Sequence, residues 1–109
     1  DWVALTGAGE DITFLDAEGT NSVLIFQYAD GASVSSLSIS GGSASYGGGI
    51  YCDNSSPIIT NVALSNNTTS YAGAGICCAY NSHPIITNVS DPPAVRTVPS
   101  DVPTSTLTI

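Results

Sequence analysis

The chain contains no lysine and no methionine, and its 109 residues include a single arginine, Arg96, and a single histidine, His83. Set against nine Asp and Glu, this leaves a net charge of −8. Binding phosphate requires Lys or Arg to displace counterions, so nucleic acid and anionic membrane surfaces are argued against as partners. An acidic polysaccharide is argued against in the same way unless a cation bridges. A long apolar run is also missing, as is a charged-then-apolar leader, so no membrane insertion is expected and any targeting segment is expected to lie outside this stretch. With three cysteines at least one thiol stays outside an intramolecular pair, and no spacing resembles a zinc site, so no metal or cofactor is expected.

What the chain does have is a repeat. Residues 45–62, SYGGGIYCDNSSPIITNV, return at 70–89 as SYAGAGICCAYNSHPIITNV. Tyr46 matches Tyr71 at an offset of 25, Ile50 matches Ile76 at 26, and the Pro57–Val62 run matches Pro84–Val89 at 27. The one-residue slips fall in Gly/Ala-rich and Tyr/Asn-rich segments, where loops absorb insertions. Neither copy holds ten residues free of Gly, Pro or Asn/Ser clusters, and the apolar positions alternate, so helical coils are disfavoured. A period in the twenties with short β-branched runs points to a solenoid. At about 3.3 Å per strand residue, each repeat makes one triangular coil of three short strands.

At this length the chain forms one domain at most, and the expected architecture is all-β: a short parallel β-helix of about four coils over residues 1–90. Its expected core is Ile12, Phe14, Leu24, Phe26, Val34, Leu37, Ile39, Ile50, Ile59, Val62, Leu64, Ile76, Ile86 and Val89. Trp2, Val3 and Leu5 are expected to cap the first coil, because a bare solenoid end exposes core and strand edges. Residues 91–109 hold four of the six prolines, beginning with Pro92-Pro93, and leave the repeat. This tail is expected to run extended and to dock on its own chain or a neighbouring one through Val95, Val98, Val102, Leu107 and Ile109. Solenoid edges predict a homo-oligomer, with a trimer slightly ahead of a dimer.

The segment GGGIYC-DNSSPIITNV resembles the repeat of secreted bacterial right-handed parallel β-helix proteins, the broad pectate-lyase-like group. The resemblance covers residues 34–89, is weaker over 11–31 and ends at Ser90. It implies a right-handed coil, an extracellular or cell-surface location, and a one-residue turn at Asn. It also implies a ladder of side-chain amides, with Asn61 and Asn88 as rungs and Ser36 beneath. Hydrolases of polysaccharides and esters occur in that group, but none of their motifs is present here to carry residues over.

Stacking converts offsets into neighbours about 4.8 Å apart. Three columns precede the Pro-Ile-Ile-Thr strand: Tyr28/Asp53/Tyr80, Asp30/Ser55/Ser82 and Gly31/Ser56/His83. His83 above Ser56, with Asp53 or Asp30 close by, brings together a hydroxyl, a base and an orienting acid. This is the arrangement of a small hydrolase acting on ester bonds. Alternation places Cys77 outward as a second nucleophile, and Cys52 and Cys78 inward as a thiol pair. The competing reading is an ordinary polar turn, since Ser, Asn and Asp fill turns for backbone reasons. The function is then non-catalytic: a carbohydrate-binding or cell-surface module in which Tyr46/Tyr71 and Tyr28/Tyr80 stack on sugars. A small ester or a carbohydrate is the expected ligand.

Overall fold

A computed structural model describes residues 4–29 and 31–90 and the backbone of residues 96–97. Among these residues there is no helix, and parallel strands stack as a solenoid of about three turns, one fewer than the repeat count suggested. In chain order the strands are β1 (Ala4–Thr6), β2 (Phe14–Asp16), β3 (Leu24–Gln27), β4 (Ser33–Ser40), β5 (Ser43–Tyr46), β6 (Ile50–Asp53), β7 (Ile58–Ser65), β8 (Thr68–Ala72), β9 (Ile76–Ala79), β10 (Ile85–Ser90) and β11 (Arg96–Thr97). They form three sheets. One runs β1-β4-β7-β10 with β2 also on β4, one runs β11-β9-β6-β3, and one pairs β5 with β8.

Apolar residues at alternate positions set the inward face, and parallel register stacks them into files. Leu5, Val34, Ile59 and Ile86 form one file, Leu15, Ile39 and Leu64 a second, and Leu24, Ile50 and Ile76 a third. From Val34 upward these residues are almost wholly buried, apart from the half-buried Leu15 and Leu24 of the first coil. Fully burying each such side chain contributes about 1.5–3 kcal/mol.

The long strands β4, β7 and β10 each bend at one residue, Ser36, Asn61 or Asn88, with φ of 60°, 54° and 51°. Asparagine tolerates this left-handed backbone better than other side chains, which is why it recurs there. Asn88 Nδ2 donates to Asn61 Oδ1 at 2.6 Å, so the two turns form an amide ladder.

The first coil departs from expectation. Ile12 and Phe14, expected in the core, are 69% and 65% exposed. Phe14 pairs with Ser38 while Leu15 pairs with the buried Ile39, so the phase of β2 is one residue later than the Ile12-Thr13-Phe14 alternation suggested. The Gly7–Thr13 turn sets that phase: the Ala8 N–H donates to Thr13 Oγ1, and the Ser38 N–H donates to the Thr13 carbonyl. At this end an open cleft of about 480 Å³ is lined by Leu5, Phe14, Leu15, Asp16, Ala17, Val23 and Leu24. Leu5, expected to cap this end, is 42% exposed; Trp2 and Val3 lie outside the described residues. Of the tail, β11 adds to β9 with Arg96 opposite Ile76 and Thr97 opposite Cys77. The tail residues Val95, Val98, Val102, Leu107 and Ile109 lie outside the described residues.

Candidate functional site

The corner after β3, β6 and β9 was expected to carry the chemistry. Its register differs from the expected columns in an instructive way. Asp53 pairs with Gln27 below and Ala79 above, so it belongs to a Gln27/Asp53/Ala79 file and not to a column with Tyr28 and Tyr80. The residues that follow, Tyr28, Asn54 and Tyr80, share left-handed φ values of 51°, 50° and 54°. Asn81, also left-handed at 63°, is the extra residue that stretches the offset to 27 from this point on.

Beyond that insertion the expected stacking returns. Ser82 Oγ accepts the Ser55 N–H at 3.1 Å and donates to the Ala79 carbonyl at 2.7 Å, and Ser55 Oγ accepts the Ala29 N–H at 2.9 Å and donates to the Asp53 carbonyl at 3.0 Å. Both serines are fully buried, and these bonds satisfy them. The column expected to begin at Asp30 thus begins at Ala29; Asp30 itself lies outside the described residues.

Ser56 does lie beneath His83. Its Oγ accepts the main-chain N–H of His83 at 3.0 Å. The hydroxyl therefore engages the backbone of the next coil, and the imidazole stands exposed on the outside of the turn. Asp53, expected to orient that imidazole, instead receives two neutral amides: Gln27 Nε2 at 3.2 Å on one oxygen and Asn54 Nδ2 at 2.8 Å on the other. Cys77, expected to be exposed, is completely buried. A methyl group at Gly73 would lie 2.7 Å from Cys77 Cβ, so the left-handed turn at Gly73 folds onto it, and β11 runs alongside in register with it. It is not placed to attack a substrate.

Cys52 and Cys78 are register partners and both are buried, and neither is disulfide-bonded. Burial pushes the Cys78 thiol up to about 11 and the Cys52 thiol higher still, with Cys78 and Cys77 adding to the effect at Cys52. These are neutral thiols packed as small hydrophobes. Among the described residues no group of three His, Cys, Asp or Glu could hold a metal ion.

A second cluster was only partly visible in the sequence. Tyr46 and Tyr71, matched in the repeat, meet edge to face with ring centroids 4.9 Å apart and planes at 63°. Tyr46 also lies 6.3 Å from Tyr51, a residue not singled out beforehand. Tyr51 projects from β6 against the left-handed Gly47 turn, where an added methyl would lie 2.9 Å from its Cβ. Its phenol is pushed up to about 12, first by partial burial and then by the negative charge of Asp53, with Cys77, Tyr80 and Tyr46 contributing less. Tyr51 thus links the Tyr46/Tyr71 pair to Asp53 and Tyr80. Its outward position, two residues before Asp53 and one coil below Cys77, was the available signal.

Comparison of the chain with family models, curated proteins and solved structures finds no match.

Proposed function

We propose that this chain is a non-catalytic carbohydrate-binding β-solenoid module. The observation that carries the reading is the contiguous set of tyrosines on one flank, Tyr46, Tyr51 and Tyr71 in ring contact, with Tyr80 following β9 on the neighbouring coil. Tyr71 and Tyr80 are 54% and 51% exposed, so their rings are available at little cost in ordering. A tyrosine offers an apolar face to a sugar ring and a hydroxyl to its edge. The rigid sheet beneath fixes the spacing of the faces, which favours a ligand of repeating units.

The hydrolase reading keeps one point in its favour, the position of Ser56 under His83. Against it stand the use of the Ser56 hydroxyl by a backbone N–H, the amide partners of Asp53 and the burial of Cys77. An extracellular or cell-surface setting suits a sugar-binding module. Self-association through solenoid edges is part of the same proposal and is read out by solution mass.

Two measurements decide. In affinity electrophoresis through gels carrying neutral polysaccharides, wild type is expected to be retarded and Tyr71→Ala to run free. With p-nitrophenyl acetate and butyrate, wild type, His83→Ala and Ser56→Ala are all expected to be inert. Hydrolysis by wild type that disappears in His83→Ala would establish the esterase instead.

A further inference from the structure

Asp53 stands among the tyrosines. It follows Tyr51 by two residues on β6, where the burial pattern alternates, so both side chains project from the outer face. Asn54, directly after it, occupies the column between Tyr28 and Tyr80. The two amides that bond to Asp53 are neutral, so they fix the carboxylate in place and leave its charge intact. A chain with no lysine, one arginine and one histidine has too few cations to neutralise nine acids. Two residues apart on the same face of β6, Asp53 and Tyr51 lie about 7 Å from each other along the strand, and after burial the carboxylate is the next cause that pushes the Tyr51 phenol up. Below Tyr51 in register lies Ile25, 58% exposed, which extends the apolar floor. Above Asp53 in register lies the small side chain of Ala79, itself buried.

Aromatic faces carry negative potential, and a fixed carboxylate beside them adds to it. The combination attracts an organic ammonium group. A neutral sugar would use the rings alone, and a uronate would be repelled.

We propose that the Tyr46/Tyr51/Tyr71 cluster with Asp53 binds a polymer of protonated amino sugars, the pyranose faces lying on the rings and an ammonium group lying at the carboxylate. This assignment rests on the carbohydrate-binding reading and names its ligand. An amino-sugar polymer suits the flank better than a lysine-rich peptide, because ring faces from adjacent strands match a chain of rings and an alkyl stem offers none.

The test is titration calorimetry of the whole chain at pH 5.5 in low salt, with a glucosamine hexamer, its fully N-acetylated counterpart and an oligolysine peptide. The glucosamine hexamer is expected to bind about tenfold more tightly than the acetylated one, the scale of one cation–ring contact reinforced by a charge. Added salt is expected to shrink that preference. Asp53→Asn, which keeps the shape of the side chain and removes its charge, is expected to erase the preference between the two hexamers. Tyr71→Ala, at an exposed ring, is expected to weaken both sugars. Equal affinity of wild type for the two hexamers, a preference that survives Asp53→Asn, or oligolysine binding as tightly as the glucosamine hexamer would each overturn the amino-sugar assignment while leaving the carbohydrate platform standing. Binding of neither hexamer would bring down both.

Discussion

The first coil and the two coils above it use the same kinds of residue with opposite results. In β7, Ile59 stacks between Val34 and Ile86 and is completely buried; in β2, Phe14 follows a similar alternation and is 65% exposed. The first difference is phase, since Phe14 lies opposite Ser38 on the outer face while Leu15 takes the inward position, and the second is neighbours. Ile59 has a strand on each side in fixed register, while β1 and β2 both lean on β4. Burial in a solenoid is conferred by neighbouring coils, and the inward-facing Leu15 and Leu24 of the first coil, each paired with one strand, are only half-buried.

The sharpest way to break this comparison is to truncate one residue from each region. Ile59→Ala is expected to cost about 2–5 kcal/mol in urea unfolding, because it empties a closed site. Phe14→Ala is expected to stay within about 0.5 kcal/mol, as surface substitutions do. Equal costs would mean that the first coil is packed as tightly as the others.

The bend residues come next. Asn61→Ala loses the amide ladder and places alanine in a left-handed backbone, a combined cost of about 2 kcal/mol. Asn61→Gly relieves the backbone and is expected to recover about half of that. If both variants are equally destabilised, the hydrogen bond dominates; if Asn61→Gly equals wild type, the ladder contributes nothing.

The repeat made the upper coils legible and left the first coil and the details of the corner obscure. Pro57–Val62 and Pro84–Val89 carry enough β-branched alternation to set strand, bend and inward face by themselves, and Asn61 and Asn88 mark the bend because few side chains tolerate that φ. The phase of β2 was not legible, since it depends on Thr13 bonding Ala8 and Ser38, contacts that no alternation pattern encodes. The Asp53 column was displaced for a similar reason. The extra residue could enter anywhere between Cys78 and Pro84, and only the backbone shows that it is Asn81. Cys77 alternates outward as expected, yet the Gly73 turn buries it, which is a matter of packing between segments and not of periodicity.

The interior thiols give a pH-dependent contrast between the core and the surface. The Cys78 thiol rises from 9.0 to about 11 on folding, with Cys52 shifted the same way, so the folded state holds these protons more tightly. Stability is then fully present below pH 9 and declines as pH rises from 9 toward 11. Urea midpoints across that range are expected to fall for wild type and to fall less for Cys78→Ala. An identical decline in the two proteins would show that the thiol does not titrate on unfolding. The smallest effect is a gain. Ser36 bends at φ 60° beneath Asn61, and Ser36→Asn is expected to extend the ladder and add about 0.5–1 kcal/mol. Loss of stability in that variant would show that the bend of β4 cannot accept a third rung.

The claim beneath all of this is that the chain stacks on itself in parallel, with an offset of 25 residues between β4 and β7, 26 between β6 and β9, and 27 between β7 and β10. Nuclear Overhauser contacts between backbone protons of adjacent strands measure it directly. Contacts are expected between Val34 and Ile59, 25 residues apart, between Ile50 and Ile76, 26 apart, and between Ile59 and Ile86, 27 apart. Antiparallel contact patterns, or the same strands meeting at other offsets, would contradict the stacked-coil account and the tyrosine flank built upon it.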